Sequence, residues 1–333
     1  MRLETGENEA GRRLDRVLKK VFRNASLSFI YRIIRKDVKV NGKRASAETL
    51  LTLGDVVEIF LPDDQLEALS QKKPTDVSGV RKQFKVIFED ENILALNKPF
   101  GLLVHGDKIE KKYTLANQVL SYLAEKGEYT PGRIETFVPA PTNRLDRNTT
   151  GLVLFGKTLP ATRDLALMMK GSETGEPKIE KAYLTIVIGE LKEKLALRAW
   201  MERDEEKNIT NVMSEESDGG RVMLTEVVPL MIGKGYTLVE AKLLTGRTHQ
   251  IRAQLADAGF PVIGDRKYGE TKDNIRVSEK YGLTTQLLHA YRLKVLLGEG
   301  CLEYLKGKTF RAKLPKRFTE IAEDLGCDMN LNL

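Results

Sequence analysis

The 333-residue sequence predicts an α+β protein in two parts, a small basic N-terminal unit and a larger domain built on a mixed, mainly antiparallel sheet. Three observations lead there. Positive charge is concentrated at the start: residues 1–60 hold 13 Lys/Arg against eight Asp/Glu, a net +5, while the other 273 residues hold 41 against 39, a net +2. From Phe84 onward, short apolar runs alternate with turn signals and outnumber the helical patterns, which favours antiparallel pairing over a regular βαβ array. Between the two parts, residues 62–80 (PDDQLEALSQKKPTDVSGV) lose periodicity and gain Pro, Asp, Lys and Ser, the composition of a linker.

The elements follow in order. Leu14, Val17, Leu18, Val21 and Phe22 lie at helical spacing, with Arg12, Arg13, Arg16, Lys19, Lys20 and Arg23 on the other face. Ser26 or Ser28 can cap a second helix that turns Ile30, Ile33 and Ile34 inward and Arg32, Arg35 and Lys36 outward. Val38-Lys39-Val40 alternates as a strand, Asn41-Gly42 is a two-residue turn signal, and Val56–Ile59 reads as a further strand. Beyond the linker, FKVIF, ILALNKP, GLVLFG, YLTIVIG and YTLVEAKLL read as strands, with helices at about 114–126 and 161–170. The polar stretch 202–221 is expected to be an exposed hairpin arm.

Composition narrows the class of function. With 41% hydrophobic and 30% charged residues the chain has a globular balance. No run reaches the roughly 18–20 apolar residues of a membrane span. The first 13 residues carry three acids and no apolar core, unlike a secretory leader. Cys301 and Cys327 lack metal-ligand spacing, so a reducing cytoplasm is expected, with no membrane partner and a monomeric state. The basic N-terminus suits a polyanion, nucleic acid above all; the plainer alternative is a solvated basic surface.

Several chemistries can be set aside. Gly151-LVLF-Gly156-Lys157-Thr158 satisfies the phosphate-loop pattern, but its four variable positions are themselves strand-like and the residues before them are polar. The three histidines, His105, His249 and His289, are scattered, and no G-x-S-x-G elbow occurs. What remains is Asn143-Arg144-Leu145-Asp146-Arg147, an acid between two arginines that runs straight into a buried strand. Taken alone it could equally be a turn cap with surface arginines.

The segment does not stand alone. NRLDRNTTG at 143–151 resembles the H-R-L-D-x-x-T-S-G active-site motif of the RluA-type pseudouridine synthases. ILALNKPFGLLVHG (93–106), KAYLTIVIG (181–189), LLTGRTHQIRAQLADAGFPVIGDRKYG (243–269) and LLHAYRL (287–293) resemble further segments of that family, in the same order. Asn143 stands where the family usually has His, and Thr150 where it often has Ser. The resemblance implies a pseudouridine synthase fold with a central cleft over residues 81–333. It also implies isomerisation of uridines in large-subunit (23S) ribosomal RNA with neither cofactor nor metal.

By the same resemblance Asp146 is the catalytic carboxylate, acting as nucleophile at ribose carbon 1′ or as base at carbon 2′. Arg252 would be the cation paired with it, Tyr183 the tyrosine that stacks on the uracil, and Arg144 the arginine that fills the space of a flipped base. Residues 1–61 resemble the alpha-L RNA-binding module, on Arg13-Leu14-Asp15, IRKDVKVNG at 34–42 and a strand after Gly54-Asp55. This implies that Arg16, Arg32, Arg35, Lys36, Lys39, Lys43 and Arg44 face RNA phosphates. Two rivals remain: a non-catalytic RNA-binding protein using the basic unit alone, and a nucleotide-dependent RNA enzyme using Gly151–Thr158.

Overall fold

The computed structural model describes residues 1–70, 77–130, 136–170, 177–204, 209–215, 220–269 and 272–327. The N-terminal unit holds strand β1 (Arg2–Glu4), helices α1 (Leu14–Val21) and α2 (Leu27–Lys36), and strands β2 (Val38–Val40), β3 (Lys43–Arg44) and β4 (Val56–Ile59). Its sheet runs β1-β4-β2-β3. Leu14, Val17, Leu18, Ile30 and Ile33 are at most 1% exposed, and each such side chain contributes roughly 1.5–3 kcal/mol when fully buried. Ser26 caps α2 by accepting the Phe29 N–H at 3.2 Å. Asn41 and Gly42 both take positive φ (52° and 75°), the geometry that a tight hairpin between β2 and β3 requires.

The expected linker at 62–80 departs from that reading. Helix α3 (Asp63–Ser70) forms there, and Leu66 packs into the N-terminal core. Val77, at the far side of the undescribed residues 71–76, belongs instead to the core of the large domain. A single apolar anchor in one eight-residue helix is too weak a periodic signal to stand out from a polar sequence.

The large domain begins with β5 (Lys85–Glu89), β6 (Ile93–Lys98), α4 (Leu115–Glu125), β7 (Ala140–Pro141), β8 (Thr150–Gly156) and α5 (Leu159–Met169). It continues with β9 (Ile179–Ile188), β10 (Leu195–Asp204), β11 (Ile209–Met213), β12 (Arg221–Gly233), β13 (Tyr236–Leu243), α6 (Gln250–Asp257) and α7 (Lys272–Tyr281). Strands β14 (Leu288–Val295) and β15 (Thr309–Arg311) and helix α8 (Lys316–Asp324) close it. Eleven strands form one sheet in the order β11-β10-β12-β13-β9-β14-β8-β6-β5, with β15 added to β14 and β7 to β8. Every pairing in it is antiparallel except β14 with β8.

That parallel junction is tightly specified. Gly151 has φ +111°, and a Cβ there would collide with the Ala290 backbone of β14. Beside it, fully buried His289 accepts from Thr150 Oγ1 at Nδ1 (2.7 Å) and donates Nε2–H to the Ala312 carbonyl (3.1 Å). Burial lowers its pKa to about 4, so the ring is a neutral cross-link. The phosphate-loop-like residues 151–156 are buried strand, and Thr158 caps α5 by accepting the Ala161 N–H.

The polar arm at 202–221 is only partly as expected. Residues 205–208 and 216–219 lie outside the described part, but β11 between them pairs antiparallel with β10. Thr210 is 2% exposed, so the arm is turned toward the body of the domain at that point.

Candidate active site

The turn at 142–149 carries Asp146 to the start of β8, and it is pinned on both sides. Asn143 uses its side chain as a strand would use backbone: Nδ2 donates to the Leu152 carbonyl (3.1 Å) and Oδ1 accepts the Leu154 N–H (2.9 Å). From beneath, fully buried Lys98 at the end of β6 donates to the carbonyls of Leu102 (2.8 Å), Arg147 (2.9 Å) and Pro99 (3.1 Å). Burial lowers the Lys98 pKa to about 7 against the opposing charge of Asp146. Three carbonyl acceptors match the three protons of its ammonium form. Gln286 Nε2 reaches Thr149 Oγ1 at 3.3 Å. The carboxylate thus sits in a turn with little freedom, with 28% of its side chain exposed.

Its counter-charge comes from α6, which two buried glutamines bolt to the sheet. Gln250 donates to Leu224 O and Thr225 Oγ1, both at 2.9 Å. Gln254 accepts from Thr225 Oγ1 at 2.7 Å. Arg252 lies between them and is held at both ends. Its Nε and Nη2 grip Asp265 at 2.6 and 3.0 Å, and its Nη1 donates to Asp146 Oδ2 at 2.9 Å. Burial alone would lower the Arg252 pKa, but its bonds to Asp265 and the charges of Asp265 and Asp146 outweigh burial and raise it. Asp265, 1% exposed, neutralises the arginine. The excess negative charge of the trio therefore rests on Asp146, the member that faces the cleft.

A cavity of about 820 Å³ opens over this trio. Seven cations line it (Arg144, Arg147, Lys181, Arg247, Arg252, Arg266 and Lys267) against three acids (Asp107, Asp146 and Asp265), a balance suited to an anionic ligand. Tyr183 forms part of the floor, opposite Ala241 on β13 and Ala290 on β14, whose small side chains leave the ring uncrowded. Burial, and then the charge of Asp146, raise the Tyr183 pKa, so its ring is a neutral phenol. His249, ahead of α6, brings Nε2 to 3.7 Å from Asp146 Oδ2. Among the described residues no group of three or more His, Cys, Asp or Glu side chains converges as a metal site would require.

The structure therefore brings together Asp146, Tyr183, Arg252 and Arg144 in one cleft, Arg144 exposed at its mouth. Arg16, Arg32, Arg35, Lys36, Lys39, Lys43 and Arg44 are elsewhere, on the N-terminal unit. All seven are exposed, and none forms an ion pair among the described residues. Lys98, His249, Asp265 and Tyr268 carry no signal in the sequence that marks them as site residues. A buried arginine implies a carboxylate partner, but spacing does not reveal that the partner lies 13 residues later across a turn.

Comparison with known proteins bears on this geometry. Residues 92–257 match the family described as RNA pseudouridylate synthase. The chain is 32% identical over 301 residues to ribosomal large subunit pseudouridine synthase C of Vibrio vulnificus, covering 88% of this chain and 87% of that one. It is 31% identical to the protein of the same name from Pasteurella multocida, over 94% and 89%. It is 30% identical to ribosomal large subunit pseudouridine synthase D of Borreliella burgdorferi, over 74% and 70%. Among solved structures, human RNA pseudouridylate synthase domain containing 4 shares the fold, with a TM-score of 0.54 at 22% identity over 72% of this chain and 92% of that one.

Proposed function

We infer the function from one premise: the chain belongs to the RNA pseudouridylate synthase family, in its RluA branch. It is an isomerase that converts uridine to pseudouridine, and its substrate is large-subunit ribosomal RNA, as the names of its relatives indicate. The observation that carries the reading is Asp146, an anion at the floor of a cationic cleft with its position fixed by Arg252 and Asp265.

The reaction breaks the bond between ribose carbon 1′ and uracil nitrogen 1, turns the base, and forms a bond from carbon 1′ to carbon 5. The proton on carbon 5 leaves and nitrogen 1 gains one, so atoms and electrons balance without an oxidant or reductant. Attack on carbon 1′ and removal of the carbon 2′ proton both require an ionised carboxylate, the state in which the cleft holds Asp146. Tyr183 offers the face of a neutral ring to the uracil. A base stacked in a helix cannot present carbon 1′, so the uridine must be flipped out, at a few kcal/mol. Arg144, two residues before Asp146, has a planar guanidinium able to stack in the vacated space.

The N-terminal unit, residues 1–61 together with α3, acts as the module that grips RNA phosphates. Its seven exposed cations support this. The unit also touches the large domain, where Asn8 Oδ1 accepts the Leu159 N–H at 2.7 Å, so charge neutralisation in the full chain is a cleaner probe than truncation. Changing Arg32, Arg35 and Lys36 together to Gln should raise KM for long ribosomal RNA. It should flatten the plot of log affinity against log salt by roughly 0.7–0.9 for each phosphate that the module no longer neutralises. At saturating RNA, kcat should stay within about tenfold of wild type, because the altered residues are remote from the cleft. Equal salt slopes would return the basic face to a merely solvated surface.

The target uridines can be identified by carbodiimide mapping of ribosomal RNA from a strain lacking the gene. Pseudouridines missing from the large-subunit RNA, and restored by the wild-type chain but not by Asp146→Asn, are the expected result. An unchanged modification pattern would contradict the assignment of substrate.

A further inference from the structure

We propose, on the reading of the cleft as a uridine-isomerising site, that His249 is a positioning residue: its neutral Nε2–H tautomer is aimed at Asp146 Oδ2, which leaves Oδ1 as the oxygen that meets the ribose. The backbone already singles His249 out. It precedes α6 in the left-handed region (φ 56°, ψ 16°), where few non-glycine residues are found, and its ring makes no capping bond to the helix. The strained backbone thus does not serve helix capping; the imidazole is turned into the cleft instead.

The tautomer follows from the hydrogen bonds around Tyr268. The Tyr268 oxygen accepts the Thr210 N–H at 2.8 Å and lies 2.9 Å from His249 Nδ1. A phenol has one proton to give. Given to Nδ1, it makes that nitrogen the acceptor and leaves the ring proton on Nε2. The competing acceptor is the Thr210 hydroxyl, which also faces Tyr268 and donates its own proton to the Thr248 carbonyl at 2.8 Å. The opposite end of the imidazole decides between them. Nε2 lies 3.7 Å from a carboxylate oxygen, where an N–H is attracted and a lone pair is repelled.

Two donors then converge on one oxygen. Arg252 Nη1 is already 2.9 Å from Asp146 Oδ2, while Oδ1 has no hydrogen-bond partner among the described residues. The 3.7 Å approach of His249 is too long for a hydrogen bond in the free protein; such pairs commonly tighten when substrate closes a site. Burial, with the charges of Arg252 and Lys267, lowers the His249 pKa to about 4 against the pull of Asp146 and Asp265, so at neutral pH the ring donates as an uncharged group. Tyr268 ties the pair together: its ring also lies under the Arg252 guanidinium, 5.1 Å from centroid to Cζ.

The test combines a spectroscopic and a kinetic readout on the full chain. Nitrogen-15 NMR of histidine-labelled protein, assigned with His249→Gln, should show a protonated Nε2 and an unprotonated Nδ1 at neutral pH. Tyr268→Phe should shift that tautomer toward Nδ1–H. In single turnover on ribosomal RNA, His249→Ala should slow isomerisation about 10- to 100-fold with RNA affinity unchanged, the worth of one hydrogen bond to a charged group. His249→Gln, which can present an amide N–H, should recover most of that rate. An Nδ1–H imidazole in an active wild-type chain overturns this proposal, as does a wild-type rate for His249→Ala. A wild-type chain that turns over no RNA overturns instead the reading of the cleft on which the proposal rests.

Discussion

Asp146→Asn is expected to abolish isomerisation, lowering the single-turnover rate by at least about 10³-fold, since no other ionised group can replace a catalytic unit of one carboxylate. Binding of ribosomal RNA should stay within about threefold, because affinity comes mostly from phosphates held elsewhere. The fold should tolerate the change. Arg252 keeps both bonds to Asp265, and Asp146 is the partly exposed member of the trio. Pseudouridine formed per enzyme, measured beside a filter-binding isotherm, checks both halves. Substantial conversion by Asp146→Asn would remove Asp146 from the centre of the mechanism.

Arg252→Met should do two kinds of damage. It removes the guanidinium that donates to Asp146 Oδ2 at 2.9 Å, and activity should fall by at least about 10²-fold. It also leaves Asp265 as a charge only 1% exposed with its cation gone, a destabilisation of roughly 3–5 kcal/mol. Arg252→Lys should recover part of each, since an ammonium supplies charge but not the fork that holds two carboxylates at once. The two effects can be separated. Adding Asp265→Asn to Arg252→Met removes the orphaned charge, so thermal stability should largely return while turnover does not. Parallel recovery of activity would mean that Arg252 serves the fold alone.

Much of this is legible in the sequence, for physical reasons that can be stated. The core faces of α1 and α2 follow from the spacing of Leu14, Val17, Leu18, Ile30, Ile33 and Ile34, and the hairpin from Asn41-Gly42. Asp146, Arg252, Tyr183 and Arg144 stand in ordered motifs, and the structure places all four around one cavity. What stays hidden depends on the meeting of distant segments. Asp265 and Lys98 lie inside recognisable motif segments, but only the fold sets one against Arg252 and the other beneath the Arg147 carbonyl. The parallel pairing of β8 with β14 joins residues about 140 apart, beyond any local signal. Helix α3 gives little signal because Leu66 is its one strong anchor, and the buried side of the arm gives none because Thr210 reads as an ordinary polar residue.

The central claim, that this cleft detaches uracil from its ribose and rejoins it through carbon 5, is tested most directly by tritium release. Large-subunit ribosomal RNA carrying tritium at carbon 5 of its uridines would be incubated with the full chain, and label in water counted against pseudouridine in the RNA digest. The account predicts release that saturates at a fixed small number of sites, one tritium per pseudouridine formed, and no release with Asp146→Asn. Tight binding of the same RNA with every tritium retained would contradict it, and would leave the protein an RNA-binding one.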